Sequence, residues 1–443
     1  MRWFSLFVIA AVISGVAVAE LQNVEVNGKV RIRGNAYVSD NQWADSSYVE
    51  QRTRLGVKAD FTDNVQAVIE VDSYDVWGED FRSGAYLLGV DSRANSTNDV
   101  EIYQSYIKAS DLYGTGLSLT VGRQELALGS QWLFGVNDNG SSGFTGLSAD
   151  AVKLSYEGDT LKLHAIWAKA ADTFNDFGKG DVDLYVLAGS YTGIEDITLE
   201  AYAAYLRDDI PAYADGTDLY TIGLRGAGKI GAIDFESEVA YQFGNVDNVY
   251  QRFLHHADDA EFDAWAINLE GGYTLDVTWS PRIFAGFTWF EGGDDHNDGL
   301  FGHHNNDLSF NRLFTNVEYS EFIDDTSLQL SNAFIYRLGV SAAPTESLCV
   351  KFVASYFESD QEAPDTGILW WHHNSSSDLG WELGLYGDYK YTEDLIFRAG
   401  WAHFFSGNGI EDGNRVLLNG TSPLYAEDSH DFDYLFLETE IKF

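Results

Sequence analysis

The fold is decided by one stretch near the start of the chain, VEVNGKVRIRGNAYV at positions 24–38, in which apolar and polar residues alternate. The even positions carry valine, isoleucine, glycine or alanine, whereas the odd positions include Lys29, Arg31 and Arg33. Because successive side chains of a β-strand point to opposite faces, this segment has one apolar face and one cationic face. The following segment, 47–61, repeats the pattern, so the sequence opens with two amphipathic strands.

The alternation continues to the end of the chain and predicts eighteen strands. They are expected at 24–38, 47–61, 64–78, 99–111, 115–128, 149–157, 160–171, 181–193, 196–208, 217–230, 232–245, 262–275, 278–292, 328–343, 346–358, 379–391, 394–406 and 430–443. Their length exceeds the ~5–6 residues that are commonest in soluble strands and suits the ~9–11 tilted residues that cross a bilayer. Tight turns and long loops connect them alternately, which is typical of outer-membrane barrels. We therefore predict an all-β fold, namely a transmembrane antiparallel up-and-down β-barrel of about 18 strands.

Composition excludes several classes of protein. The chain has 443 residues, a net charge of -42 and a single cysteine. One cysteine excludes a disulfide scaffold and a multi-cysteine metal site, and the strong acidity argues against nucleic acid as a partner. The alternative fold is a soluble all-β protein. Rows of arginine such as Arg31 and Arg33 would crowd a soluble surface but suit a water-filled lumen, which favours the membrane barrel.

The first residues have the pattern of a secretory signal peptide. A short, weakly positive start precedes an apolar stretch at 4–16 and an Ala-Val-Ala cleavage site at 17–19. A membrane anchor is the alternative, but the apolar stretch is short for a spanning helix. A lipid anchor would need a cysteine at position 20, and the cysteine of this chain is Cys349. We therefore predict a signal peptide at 1–19 and an outer-membrane β-barrel domain at 20–443.

The final predicted strand ends on an aromatic residue, Phe443, which completes an alternating apolar face. A terminal aromatic on such a strand resembles the assembly signal of bacterial outer-membrane proteins. The alternative is an ordinary edge strand that ends the chain, although a long apolar edge invites aggregation unless a barrel closes over it. The predicted partners are therefore the barrel-assembly machinery, through Phe443, and the outer-membrane lipid and lipopolysaccharide around the barrel.

The polar faces of the strands supply the candidate pore residues. Six cations on the inward faces of the first two strands form a basic wall: Lys29, Arg31, Arg33, Arg52, Arg54 and Lys58. An acidic wall of Asp234, Glu236 and Glu238 is expected on the eleventh strand, half of the barrel away. Charged walls that face each other across a pore orient polar solutes and set ion selectivity. The alternative is that the cations pair with neighbouring carboxylates, Glu50, Glu70 and Asp72, and only brace the wall.

The longest connection, Gly293–Thr326, is rich in acidic residues and is expected to be a solvated loop at the cell surface. Part of it could bind divalent cations through a cluster of histidines and aspartates: Asp294, Asp295, His296, Asp298, His303, His304 and Asp307. The sequence that begins at Asp294 is not an EF-hand calcium loop, because its twelfth position is Asn305 rather than glutamate. The pairs His255-His256 and His372-His373 are weaker candidates of the same kind. No metal ligand is assigned, since the spacing is unspecific.

An enzymatic function is not expected. A hydrolase of the serine type needs a nucleophile, a histidine and an orienting partner, and the strand histidines His164 and His403 lie beside no recognisable nucleophile motif. The sequence also has no glycine loop that would cradle a phosphate or a nucleotide. We therefore predict a protein that is not an enzyme and that needs no cofactor.

Several short segments resemble the alginate-export family of outer-membrane porins. They are Gln51–Ala59, Thr120–Leu126, Phe310–Phe314, Asp378–Glu382 and Phe404–Gly407. Where the family often has proline after the Leu-Phe pair, this chain has Thr315. The resemblance implies an eighteen-stranded monomeric barrel that passes polymeric or small solutes, and it does not imply alginate as the substrate. Arg123, in the Gly-Arg-Gln part of the second segment, is also counted among the pore-lining candidates.

Two functions remain. The favoured hypothesis is an outer-membrane porin, a channel that passes hydrophilic solutes, anionic ones or saccharides, across the outer membrane of a Gram-negative bacterium. The alternative is a structural or surface-binding outer-membrane barrel with acidic, cation-binding loops. Eighteen strands enclose a lumen wide enough for an aqueous channel, and charged inward faces without a plug domain favour the channel.

Overall fold

The computed structural model covers most of the predicted barrel. The described residues are 21–39, 45–62, 64–77, 100–136, 138, 146–172, 180–210, 216–250, 257–293, 295–296, 305–324, 330–362, 375–411, 415–417, 423–425 and 431–443. The predicted signal peptide, 1–19, lies outside these residues, as do six of the loop histidines: His255, His256, His303, His304, His372 and His373. Within the described part of the chain, no helix is long and apolar enough to cross a membrane.

The prediction of an eighteen-stranded antiparallel barrel is confirmed. The strands are β1 Asn23–Ser39, β2 Ser46–Thr62, β3 Val65–Val76, β4 Glu101–Ala109, β5 Leu117–Gln124, β6 Ala149–Glu157, β7 Leu161–Asp172, β8 Asp181–Ile194, β9 Ile197–Asp208, β10 Gly216–Ile230, β11 Ile233–Tyr250, β12 Ala257–Thr274, β13 Arg282–Phe290, β14 Ala333–Thr345, β15 Leu348–Glu358, β16 Asp378–Lys390, β17 Leu395–Ser406 and β18 Phe432–Lys442. Each strand pairs with its neighbours in sequence, and β18 pairs with β1. Short extra strands lie at Asp295–His296, Asn305–Leu308, Arg415–Leu417 and Pro423–Tyr425, and Leu112–Gly114 forms a single 3₁₀ turn.

Alternation of side chains gives the wall an apolar outer face and a polar inner face. On β1 and β2 the outward residues Val26 and Leu55 are exposed, whereas the inward residues Arg31 and Arg52 are buried. Large apolar side chains on an outer surface are costly in water but suit the hydrocarbon of a bilayer. Backbone polar groups are paired between strands all around the barrel, as a membrane requires.

An aromatic belt surrounds the end of the barrel at which the long connections lie. Outward rings on successive strands stack in a continuous row: Tyr185, Tyr205, Tyr220, Phe243, Tyr241 and Trp265. Their polar tips bond to carboxylates beside them, as when the Tyr241 hydroxyl donates to Asp263 at 2.8 Å. Amphipathic rings of this kind sit at the level of the lipid headgroups, so the belt marks one membrane interface.

The barrel closes through the chain terminus. The Phe443 N–H donates to the Gly28 carbonyl at 3.0 Å, and the Gly28 N–H donates to the Phe443 carbonyl at 2.8 Å. The Phe443 ring lies over the Cα of Gly28, so that any side chain at position 28 would collide with it. A glycine covered by a cross-strand aromatic ring is a known way to pin strand register.

Replacing Phe443 with aspartate is therefore expected to weaken the β1–β18 closure by about 1 kcal/mol, the size of a cross-strand aromatic contact. The amount of folded protein in the outer membrane should fall severalfold, measured as the band that shifts on heating before electrophoresis. Phe443→Trp, which keeps an aromatic ring over Gly28, is the matched control and should fold normally. A normal yield of the aspartate variant would contradict the prediction.

The lumen is partly filled by the chain itself. Residues 125–136 and 309–324, which we call the septum, contact inward side chains of several strands: Ser130 donates to Glu238 of β11 at 2.9 Å, and Ser320 donates to Glu382 of β16 at 2.7 Å. The expectation that Gly293–Thr326 is a solvated surface loop, in a lumen without a plug, is therefore wrong for 309–324. Apolar residues are interspersed among the polar and acidic ones of this stretch, and burial of the apolar ones draws the segment inward.

Candidate pore and its charged walls

The two parts of the septum are bonded to each other. The Phe314 N–H donates to the Leu133 carbonyl at 2.9 Å, and the Gly135 N–H donates to the Phe314 carbonyl at 2.7 Å. Trp132 and Phe310 stack with ring centroids 6.4 Å apart, and both are at most 1% exposed. The septum is thus one packed unit with its own apolar core, formed by segments that are far apart in sequence.

A buried ion pair lies within the septum. The Arg312 guanidinium contacts the Asp324 carboxylate and donates to the Leu330 carbonyl at 3.1 Å. Asp324 also accepts hydrogen bonds from the backbone N–H groups of Tyr319, at 2.8 Å, and Leu330, at 3.1 Å. Burial raises the pKa of the Asp324 carboxyl, although Arg312 and these backbone donors oppose the shift. Arg312 and these backbone donors therefore favour the charged form of this carboxylate inside the septum.

The septum leaves several cavities in the lumen, two of which border the predicted charged walls. The main cavity, of about 540 Å³, lies between septum residues 316–321 and the wall formed by β14–β18 and β1. The minor cavity, of about 190 Å³, lies between septum residues 127–134 and the wall of β7–β11. The constriction could not be located from the sequence, because no local pattern says which loop folds inward.

Part of the predicted basic wall borders the main cavity. Lys29, Arg31 and Arg33 line it, as the alternation on β1 requires. Arg31 and Arg33 both pair with Glu438 of β18, with Nε–Oε2 distances of 2.9 and 2.7 Å. Lys29 lies 3.3 Å from the Glu440 carboxylate. These acids belong to the last strand, so the pairing depends on closure of the barrel.

The β2 part of the basic wall is paired with β3. The Asp72 carboxylate lies 2.8 Å from the Arg52 guanidinium and 3.0 Å from that of Arg54. The Arg54 guanidinium also lies 3.5 Å from the centroid of the Tyr103 ring. Glu70 lies 3.6 Å from Arg54. The proposed bracing by Asp72 and Glu70 is thus present in the geometry. Glu50 instead accepts hydrogen bonds from Asn35 at 2.7 Å and Tyr74 at 3.1 Å.

Asp138 joins the septum to the basic wall. Its carboxylate contacts Arg52 and lies 3.2 Å from the Lys29 ammonium, and its carbonyl accepts from Arg31 at 2.8 Å. Its N–H donates to Asn316 at 2.8 Å. One loop carboxylate therefore neutralises cations of both β1 and β2. Sequence reasoning missed Asp138, since it lies in a long connection without periodicity.

Two of the predicted pore residues lie away from the main and the minor cavity. Lys58 faces inward near the short-turn end and pairs with Glu25 at 3.1 Å. Arg123 borders a smaller cavity of about 140 Å³ beside Leu128 and Phe134, pairs with Asp150 at 2.9 Å and shares the outward face of β5 with Val121. The reason is strand parity, because the buried inward positions of β5 are Thr120 and Gln124.

The acidic residues Asp234, Glu236 and Glu238 lie on β11, nine strands from β2 in the closed barrel. Asp234 pairs with Arg282 of β13, and Glu236 lies 3.3 Å from Arg225 of β10. Glu238 accepts from the Tyr202 hydroxyl at 2.8 Å. The two arginine partners, Arg225 and Arg282, were not recognised in the sequence.

The described residues offer little to a metal or to catalysis. No group of three histidine, cysteine or acidic side chains that could hold a metal ion is found among them. His164 lies 2.9 Å from the Ser155 hydroxyl, and within the described part of the chain no carboxylate completes a triad with them. His403 lies 3.0 Å from Asp433 on the outer face of β17.

Comparison with known proteins agrees with this architecture. OpdL of Pseudomonas aeruginosa superposes with a TM-score of 0.56 at 10% sequence identity, covering 95% of this chain and 99% of that one. OccK8 (OprE) of Pseudomonas aeruginosa gives 0.54 at 12% identity, covering 94% and 98%, and OccAB2 of Acinetobacter baumannii gives 0.54 at 12% identity, covering 95% and 98%. At these identities the likeness shows the fold alone. Curated protein sequences give no match.

A family model described as alginate export matches residues 22–419, which is most of the chain. The match agrees with the resemblance of the short segments and with the eighteen-stranded barrel. Barrels of this kind reside in the outer membrane of Gram-negative bacteria, and they are channels of the porin type. The chain therefore belongs to the alginate export family of outer-membrane β-barrels.

Proposed function

We propose that this porin-type barrel passes hydrophilic solutes across the outer membrane and prefers those that are anionic or saccharide. The main cavity supports the proposal, because it is bordered by many charged side chains. Its cations are Lys29, Arg31, Arg33, Arg337, Lys351, Arg398 and Lys442, and its acids are Asp138, Glu318, Glu321, Glu382, Asp388 and Glu440. The cavity thus has about as many cations as acids, whereas the whole chain has a net charge of -42.

This local balance matters more for permeation than the net charge of the protein. The excess of acidic residues lies outside the main cavity. Charges that are surrounded by bulk salt are screened over a Debye length of ~8 Å at physiological ionic strength. Charges on a confined wall with a low-dielectric boundary act more strongly on a passing ion. The ring of Tyr386 at the cavity also offers a face on which a sugar ring could pack.

Planar-bilayer recording tests the function. We expect stepwise conductance in potassium chloride and a reversal potential that indicates a preference for anions. Glucuronate should either carry the current or block it. The alternative function is a structural or surface-binding barrel, which the packed septum favours. Folded, inserted protein that never gives conductance steps would support that alternative and contradict the channel.

The proposal also includes the route to the membrane and the partners there. Residues 1–19 would direct export and be removed, and the barrel-assembly machinery would recognise the strand that ends at Phe443. Lipid and lipopolysaccharide would surround the outer face, and divalent cations could bridge the acidic loops to lipopolysaccharide. No enzymatic activity is proposed.

Replacing Asp138 with asparagine tests the role of the septum in selectivity. The substitution removes the carboxylate that neutralises Lys29 and Arg52, so the ratio of anion to cation permeability should rise by about twofold to fivefold, the range of an exposed ion pair. Reversal potentials in a salt gradient measure the ratio. Glu393→Gln, the same charge change in the exposed β16–β17 turn, is the control and should have little effect. An equal effect of both variants would contradict the assignment to Asp138.

A further inference from the structure

Two side chains of the wall hold the 309–324 part of the septum in different ways. The first is Gln242 of β11, whose Nε2 donates to the Asn311 carbonyl at 2.7 Å and whose Oε1 accepts from the Asn311 N–H at 2.7 Å. Gln242 is fully buried, and its amide does not titrate. This attachment therefore does not depend on pH.

The second attachment is a carboxyl group. Glu382 of β16 is 5% exposed, and its Oε2 accepts from the Ser320 hydroxyl at 2.7 Å and from the Glu321 N–H at 3.0 Å. Both donors belong to the septum, and both are neutral. Glu382 forms no ion pair with any residue that the structure describes. The septum is thus bonded to a buried acid, and burying a charge without a cationic partner is costly.

A second carboxyl group, that of Glu321, lies beside the first. The Tyr386 hydroxyl of β16 donates to Glu321 Oε1 at 3.1 Å, and both glutamates border the main cavity. The two carboxylates repel each other when both are charged. Two acids that share one site cannot both ionise without a cost, and a single proton bound between them removes that cost.

Other groups around the two glutamates do not neutralise them. The titratable groups beside them are Asp324 of the septum, which is paired with Arg312, Tyr386 of β16 and Tyr434 of β18. Asp324 adds to the repulsion. The cations that line the main cavity contact other groups: Arg31, Arg33 and Arg398 pair with Glu438, Arg337 pairs with Glu270, Lys29 and Lys442 pair with Glu440, and Lys351 lies over the rings of Phe284 and Tyr386.

We propose that Glu382 and Glu321 form a pH-sensitive latch, which holds the septum against the wall while the two carboxylates share one proton and releases it when both are charged. The inference rests on the proposed channel function and deepens it, because it concerns the regulation of the same pore. The docked septum binds one proton more than the released septum, in which both side chains reach water. Falling pH therefore favours the docked form, and rising pH favours release. Because the Gln242 attachment does not titrate, release concerns residues 316–321 and widens the main cavity.

The first experiment records single channels in planar bilayers from about pH 5 to about pH 9, a range that includes the titration of buried carboxyl groups. The ratio of open to docked channels should rise by up to about tenfold per pH unit, because one proton is lost on opening. Glu382→Gln, whose amide oxygen can accept both hydrogen bonds but cannot titrate, should abolish this rise. Glu393→Gln, the same charge change in the exposed β16–β17 turn, is the matched control and should keep it.

A conductance that does not change with pH, or that changes equally in Glu382→Gln, overturns the latch and leaves the channel standing. If Glu382→Gln does not fold, Glu321→Gln is measured in its place. It removes the same repulsion and should also abolish the rise.

The second experiment does not need conductance. In the detergent-solubilised barrel with Cys349→Ser, spin labels are attached through Val317→Cys in the septum and Glu393→Cys in the β16–β17 turn. The distribution of distances between the labels should shift between about pH 5 and about pH 9, and adding Glu382→Gln should remove the shift. If the protein never conducts but the labels respond in this way, the channel is wrong and the latch stands. Labels that stay in place, or that move equally with and without Glu382→Gln, overturn the latch whether or not the protein conducts.

Discussion

Replacing Arg312 with glutamine is expected to release the septum from the lumen. The substitution leaves the Asp324 carboxylate, which is 3% exposed, without its guanidinium partner. Removing one partner of a buried ion pair costs about 3–5 kcal/mol. That is a large loss for the septum, which consists of only two loop segments. The septum should therefore open, and the single-channel conductance should rise severalfold. In intact cells, proteinase K should cleave within 309–324, a segment that the wild-type barrel protects.

The matched control for this variant removes both charges. Because the cost of desolvating two charges offsets much of their attraction in a buried ion pair, apolar side chains of similar volume can replace such a pair. The double variant Arg312→Met, Asp324→Leu should therefore keep the wild-type conductance and the protection from protease. If the glutamine variant behaves like the wild type, the septum is held by its apolar core and not by the charge balance at this pair.

Neutralising four arginines of the basic wall should reverse the ion preference of the channel. With Arg31, Arg33, Arg52 and Arg54 all replaced by glutamine, the acids that they pair with remain charged: Glu438, Asp72 and Asp138. The lumen then has a net negative wall, and the reversal potential should shift strongly toward cations. Uptake or export of acidic sugars should fall accordingly.

A compensated variant separates charge from bracing. Adding Glu438→Gln and Asp72→Asn to the four arginine substitutions removes carboxylates that would otherwise lose their arginine partners, and should bring the reversal potential back toward the wild-type value. The heat-modifiable electrophoretic band shows whether each barrel folds. If the variant with all four arginine substitutions does not fold, the double variant Arg31→Gln, Arg33→Gln is measured in its place. Unchanged selectivity in a folded variant would mean that these arginines are only braces.

The wall of the barrel could be predicted from the sequence, and the interior could not. The membrane forces every spanning strand to alternate, so segments such as 149–157 could be placed with the observed bounds. The septum follows no such rule, because its position depends on which apolar loop residues find a complementary surface inside. Arg312 could be counted as the one cation of an acidic loop, but its burial against Asp324 could not be foreseen.

The orientation and the partners of individual side chains could not be predicted for the same reason. The role of Arg123 depends on one step of strand parity near the end of β5, where a local motif gives no information about inside and outside. The partners of the basic wall, Glu438 and Asp138, come from the last strand and from a loop, and neither is near β1 in sequence. Pairing across such separations is a property of the closed structure rather than of any segment.

The closure between β1 and β18 has a consequence for the order of folding. Arg33 and Glu438 are 405 positions apart in the chain, and their contact forms only after the last strand has been synthesised and exported. Contacts between positions so distant in sequence raise the contact order, and closing so large a loop costs entropy before any contact compensates for it. The first strand must therefore wait, with its amphipathic edge unpaired, until all the others are present. We expect closure to be the slowest step of biogenesis, and chaperones that shield β1 in the periplasm to decide how much protein reaches the membrane.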